Sequence, residues 1–303
     1  MGSRLRFIIL LGTLLLTFLA QSAFAEEEED PTPVGNFALP ASQQPGPFYS
    51  FGSNIIDKGQ WQITGTPNIF KSTGERFVEF DTSILYGLSE RSSLLFTLPS
   101  TIKYSNAATD DSYNGLGDVG LQGEYTLVDH STKVSAAQIS VIAALSVPSG
   151  KDRVSYNGTT YFLAGTANYM SPSWLQYVSP GMVIFGGDLS TRPGMLYYLD
   201  IGMGRNLYSE PGQYISLFLL EVNGQLNSPN PYIDATIPTR ASGSVLQDGY
   251  FIYLTPSLFI STRSLAFQIG ASFPVSQSWT NAIDQSVDYT ASFNVTWTVN
   301  KIP

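Results

Sequence analysis

The stretch "NGLGDVGLQGEYTLV" (Asn114–Val128) contains Gly115-x-Gly117-x-x-Gly120, and the way it is read decides the fold. The spacing matches the glycine pattern that cradles a dinucleotide pyrophosphate. That use needs a strand before the first glycine, a helix after the last, and an acidic residue about 20 positions on. The flanks supply none of them. The polar run "SNAATDDSYN" precedes Gly115, "LQGEYTLV" alternates with period two, and no Asp or Glu occurs between Asp129 and Asp152. As a strand the stretch is coherent. Val119, Leu121, Tyr125 and Leu127 fall on one face, with Asp118, Gln122 and Glu124 on the other. The glycines then permit a bend and close backbone approach where a strand leaves a long loop.

The same period of two runs along most of the chain. In "FVEFDTSILYGL" Val78, Phe80, Thr82, Ile84, Tyr86 and Leu88 oppose Glu79, Asp81 and Ser83. In "YISLFLLEVNGQL" Tyr214, Ser216, Phe218, Leu220 and Val222 oppose Glu221, Asn223 and Gln225. In "SVDYTASFNVTWTV" Val287, Tyr289, Ala291, Phe293, Val295 and Trp297 oppose Asp288, Thr290, Ser292, Asn294 and Thr296. A helical template at i, i+3, i+4 fits none of these. About twelve such segments follow one another, each close to the ten or so residues a tilted membrane strand needs. The expected spans are 60–70, 76–88, 92–104, 116–128, 134–147, 159–171, 178–189, 194–206, 213–226, 248–261, 264–276 and 286–299. Pro67 interrupts the first, and Pro180 with Gly186-Gly187 blurs the seventh.

Composition agrees. Charged residues make up 13% of the chain, against roughly 25% in ordinary soluble domains. There are 17 Tyr and 18 Phe, yet nothing after Ala25 approaches the 18 consecutive apolar residues of a membrane helix. Sheets with one face toward lipid produce that combination, because each strand alternates and mean hydropathy stays near zero. Zero cysteines exclude a disulfide framework and thiolate metal sites.

At the N-terminus, Arg4 and Arg6 precede the apolar run Phe7–Leu19, and Ala23-Phe24-Ala25 carries small residues at the two positions a signal peptidase reads. Residues 1–25 are therefore expected to be a signal peptide, residues 26–58 a flexible acidic, proline-rich leader, and residues 59–303 the barrel. Loss of Arg4 and Arg6 lowers the formal charge from −9 by two, to about −11. A chain this acidic is not expected to bind nucleic acid.

Connection lengths give an independent test. With a periplasmic N-terminus the inner turns are "SERS", "DHSTK", "SPSWLQY", "YSEPG" and "STRS", all short. The outer connections include the longer, polar "SGKDRVSYNG", "SQSWTNAIDQ" and "NSPNPYIDATIPTRASGSVLQ", the asymmetry expected of an outer-membrane barrel, although two others, near Lys71 to Glu75 and Ser190 to Pro193, are short as well.

The unit "TLPSTIKYS … NGLGDVGLQGEYTL … VIAALSVPSGK" resembles the phenol-degradation "MetA-pathway" outer-membrane family over residues 75–170. The matching features are Leu98-Pro99, Gly115 to Asp118, and Pro148-Ser149-Gly150. The resemblance implies an outer-membrane barrel that passes small, often aromatic or hydrophobic, compounds. It implies no catalytic residues.

Two other chemistries fit poorly. "DDSYNGLGD" places Asp110, Ser112, Asn114 and Gly115 like the start of a calcium loop, but Leu121 stands where a bidentate Glu belongs. A lipid hydrolase would need a histidine near the outer leaflet, and the single one, His130, falls in an inner turn. No enzyme activity, cofactor or metal is expected.

The inner face is where function is expected to lie. Glu79, Asp81, Asp118, Glu124, Asp200, Glu221 and Asp288 fall on it, with Lys103 as the inward cation. Such a lumen disfavours anions and admits cations or neutral solutes, unless these carboxylates pair across strands and fill a narrow barrel. The expectation is a closed antiparallel transmembrane β-barrel for passive passage of small solutes in a Gram-negative outer membrane. Its expected partners are lipid, the solute and the barrel-assembly machinery. The alternative is a structural or adhesive surface barrel. Whether the segment before the first strand plugs the lumen is left open at this level.

Overall fold

The computed structural model describes residues 30–49, 52, 55–72, 75–106, 111–151, 154–155, 158–186, 195–228, 249–279 and 287–299. The expected signal peptide, the loop tip at 107–110 and most of the connection at 227–247 lie outside them.

The chain forms one antiparallel sheet that closes on itself. Its strands are β1 (Trp61–Ser72), β2 (Glu75–Ser89), β3 (Ser92–Asn106), β4 (Asp111–Leu116), β5 (Val119–Thr132), β6 (Ser135–Val147), β7 (Thr160–Met170), β8 (Trp174–Phe185), β9 (Met195–Glu210), β10 (Tyr214–Ser228), β11 (Gly249–Thr262), β12 (Leu265–Trp279) and β13 (Val287–Val299). Strands β4 and β5 both pair with β3, so they are two halves of one wall strand. Pairing of β1 with both β2 and β13 closes a twelve-strand barrel. Closure pairs the long wall strands on both sides, which is the condition for a sheet to stand in hydrocarbon; the short β4 pairs with β3 alone.

Alternation sorts the side chains. Phe80, Leu121, Tyr161, Phe218, Ile260, Ile269 and Phe293 lie exposed on the outside, while Thr126, Ser140, Ser179, Asp200, Asn223 and Thr255 are buried inside. Connections segregate as well. Turns at 90–91, 133–134, 171–173, 211–213 and 263–264 lie at the end where β1 starts; at the other end the 73–74 connection is equally short, and the connections at 148–159, 186–194, 229–248 and 280–286 are longer.

The seventh span differs from expectation. It is Trp174–Phe185, shifted toward the turn end, because Leu175 and Tyr177, read above as part of a turn, are inward strand residues. Pro67 is accommodated within β1, where the ladder to β13 skips from Gly65 to Asn68 for want of a donor.

The three sequence features that carry the family resemblance meet at the β4–β5 break. Gly117 N–H donates to Pro99 O at 2.8 Å, and Lys151 N–H donates to Leu116 O at 3.1 Å. The Asp118 carboxylate accepts the Ser149 and Gly150 amides at 3.1 and 3.0 Å. A Cβ at Gly117 would lie 2.9 Å from Pro99 Cγ, so the glycine is needed for this close approach. These glycines pack a bent strand against a loop, and no phosphate-binding helix follows them.

Candidate functional site: the plugged lumen

Between Asp30 and Tyr49 the segment before β1 packs on the barrel. It carries two single-turn 3-10 helices, Gly35–Phe37 and Ala41–Gln43, and buries Asn36, Phe37, Ala38, Leu39 and Gln43. It follows the turn end of the barrel. Thr32 N–H donates to Lys133 O at 2.9 Å, Asn36 N–H to Pro172 O at 2.9 Å, and Gly212 N–H to Ala38 O at 2.7 Å. Side chains reinforce the track. Asn36 donates to Ser171 O at 3.0 Å and accepts from Asn206 at 3.1 Å, and Gln43 bonds Thr298 and Ser261. The segment then turns into the lumen. It returns to the rim at Gly59, whose N–H donates to Gly87 O at 2.8 Å.

The wall is shaped to receive it. Strand β10 is apolar on both faces in its first half: Phe218 and Leu220 face out, while Ile215, Leu217 and Leu219 are completely buried inside. Ala38 and Leu39 cover Ile215. Phe48 packs on the cluster of Leu175, Tyr177, Leu217, Leu219, Phe259 and Ala266. An apolar inner wall facing water would cost free energy in proportion to its area, and the plug removes that exposure.

Beyond the apolar contact stands Glu221, completely buried. Its carboxylate accepts the Phe48 and Tyr49 amides at 3.2 Å and the Tyr177 hydroxyl. Tyr177 (β8), Gly202 (β9) and Glu221 (β10) lie side by side in the ladder. A Cβ at Gly202 would lie 2.1 Å from the Tyr177 ring, so the missing side chain is what lets the ring cross β9 to reach Glu221. Gly202→Ala should displace Tyr177 and cost roughly 1–3 kcal/mol through overpacking. Its urea midpoint against the parent's measures this, and an unchanged midpoint would show that the ring has room to move.

A belt of polar side chains runs around the inner wall near this level. Thr255 donates to Asn223 at 2.7 Å and contacts Ser272 at 2.8 Å, and Asn223 donates to Asp200 at 3.1 Å. Ser179 bonds Thr166 and Thr126 bonds Ser140, each at 3.1 Å. Asn68 donates to Asp81 at 2.8 Å and accepts from Ser292. Tyr49 sits in the field of Glu79, Asp200 and Asp81.

The expected inward residues divide. Glu79, Asp81, Glu124, Asp200 and Glu221 occupy inner positions of their strands. Asp118 serves the loop contact described above. Lys103 does not face inward. A bulge at Ile102 resets β3, so Lys103 lies opposite Val78 on the outer face and Tyr104 turns in. A second bulge displaces Asp288, which is half-exposed and pairs with outward Lys71 at 3.8 Å; Val287 moves to the buried side. Among the described residues no Lys or Arg is left on the inner face of a strand.

Beside the plug a cavity of about 240 Å³ remains, between Pro47-Phe48 and the wall of β1–β3 and β11–β13. Leu85, Leu95 and Phe259 give it apolar surface, and Gln62, Thr64, Gln268 and Asn294 give it hydrogen-bonding groups. Among the described residues no charged side chain lines it. The Asn294 Oδ1 acceptor is buried and has no hydrogen-bond partner among the described residues.

With this geometry in hand, solved structures give a clear comparison. The COG4313 outer membrane channel from Pseudomonas putida F1 superposes with a TM-score of 0.59 at 10% identity, covering 83% of this chain and all (100%) of that one. The chain has the fold of an outer-membrane β-barrel. Other barrels are more distant: the NanC porin has a TM-score of 0.45 at 10% identity, covering 78% of this chain and 98% of its own, and LpxR from Salmonella typhimurium has 0.43 at 10%, covering 78% and 99%. No protein-family model matches the chain, and no curated protein matches it by sequence.

Proposed function

We propose that this barrel stands in a bacterial outer membrane and passes small, neutral, hydrophobic or aromatic solutes passively. The observation that carries this reading is the charge-free cavity beside the plug. Its volume of about 240 Å³ exceeds the roughly 150 Å³ that accommodates benzene in an engineered protein cavity, so one substituted ring fits. A charged solute would lose hydration there without gaining a partner, whereas a neutral one with a single donor finds the open Asn294 acceptor. The resemblance read from the sequence supports aromatic solutes, and the likeness to a channel fold supports passage.

The plug itself favours a second reading, a closed surface barrel whose loops do the work. Liposome swelling separates the two. Purified refolded protein should admit small neutral solutes faster than anions of the same size. Swelling no faster than in protein-free liposomes, for every solute, would favour the second reading.

A further inference from the structure

The lumen is occupied by a segment that covers apolar wall residues but takes no part in the wall's strand ladder. Every strand finds its ladder partners in other strands, and β1–β13 pairing closes the barrel without a rung from the described residues between 30 and 60. The segment is tied at two levels. At the rim its bonds are backbone contacts to turns and bonds to Asn206, Ser261, Gln62 and Thr298. At mid-lumen the tip amides converge on one carboxylate, while the Tyr49 side chain bonds Thr290. Glu221 takes both tip amides and the Tyr177 hydroxyl, and Gly202 is the position that lets Tyr177 reach it.

We propose that Glu221, oriented by Tyr177, is a latch that holds the tip Phe48-Tyr49 across the lumen, and that this segment is a releasable gate. The chemistry suits release. A buried carboxylate must have donors, and here two of them come from the part that would move. When the tip leaves, lumen water can replace those amides, so release forfeits the net advantage of the charge-assisted bonds but does not strand a buried charge without donors. The wall donor from Tyr177 stays in place and keeps the carboxylate aimed. The cavity beside Pro47-Phe48 gives the tip free space on one side, and a Cβ at Gly46 would meet nothing within 4 Å. Phe48 is the apolar half of the seat and Glu221 the polar half.

This inference goes beyond solute passage and does not depend on which solute is carried. Because the chain has no cysteine, Gly46→Cys places a single thiol just before the tip. Its rate of reaction with a bulky polyethylene-glycol maleimide, in refolded protein in lipid vesicles, reports how often the segment leaves the lumen. Adding Glu221→Gln keeps the shape and one acceptor oxygen but removes the charge, so the bonds to the tip amides are no longer charge-assisted. Labelling should rise about tenfold or more, the shift expected for losing one charge-assisted bond. Tyr177→Phe keeps the ring across Gly202 and removes its hydroxyl, and should raise labelling less. Bilayer conductance should rise in the same order. Wild-type labelling in a folded Glu221→Gln protein, with folding confirmed by heat-dependent gel mobility, would overturn the latch. Should that variant not fold, Tyr177→Phe decides, and a rate equal to the parent's overturns the proposal. Faster labelling without higher conductance would also overturn the gate, since it would show the segment moving without opening a path. Slow swelling with fast labelling would count against the solute reading alone.

Discussion

An arginine at Phe80 or Phe293 should cost the barrel roughly 2–4 kcal/mol of stability, while the same substitution at Ser83 should be far milder. Phe80 and Phe293 are 40% and 37% exposed on the outer face, near the middle of β2 and β13. In a bilayer that exposure is to hydrocarbon, where a guanidinium keeps little of its hydration. Ser83 lies three residues from Phe80 but points into the lumen cavity, where Gln62, Thr64, Gln268 and Asn294 replace only part of an arginine's hydration, whereas hydrocarbon replaces none. Phe293 also stacks on Phe267 at 6.3 Å, so its loss removes an aromatic contact, and Phe80 is the cleaner probe. Urea titration of refolded protein in lipid vesicles measures the difference. Equal losses at the two faces would mean that the outer surface does not face lipid, because a register error would move every side chain to the other face.

The wall was legible in the sequence because one face repels water and the other seeks it. That contrast recurs every second residue and needs no tertiary information. Each departure has a local cause that alternation does not report. Ile102 and Lys103 both face out because one extra residue opposes the Val78–Glu79 step, and nothing in "STIKYS" marks it. The bulge at Asp288 is equally silent. Its effect was to turn an expected lumen charge toward Lys71. Inner-face charge is therefore read less securely near strand ends, where bulges gather, than at strand centres such as Asp200 or Glu221.

The plug was partly written in the sequence. Within an otherwise polar leader, "NFALP" sets Phe37, Ala38 and Leu39 in a row. In β10 the run "YISLFLL" is apolar at successive positions, which a strand between lipid and water does not require. Ile215, Leu217 and Leu219 then need a cover inside the barrel, and the leader supplies one. The latch could not be read this way. Tyr177, Gly202 and Glu221 lie far apart in sequence, and each has an ordinary role in its own strand. Only the register of β8, β9 and β10 brings them into line.

The inner carboxylates also set an expectation for ions. With Lys103 on the outer face, Glu79, Asp81 and Asp200 have no strand cation beside them on the inner wall among the described residues. An ion about 6 Å from one carboxylate, at an effective dielectric near 20, gains or loses about 3 kcal/mol. Three such groups at the lumen wall should therefore dominate selectivity, even after screening by salt with a Debye length of about 10 Å. Reversal potentials under a salt gradient, in alkaline buffer where carboxylates carry their charge, should show cation preference. Glu79→Gln with Asp81→Asn should lower that preference severalfold while leaving Asp200 in place, and raising the salt should weaken it in the parent. The pair is suited to the test because Asp81 accepts from Asn68, and the amide replacement keeps that shape and an acceptor oxygen. Anion preference in the parent would show that groups outside the strand wall control the ion path. Unchanged selectivity in the double variant would place the path away from β1 and β2, on the far side of the Tyr49 tip.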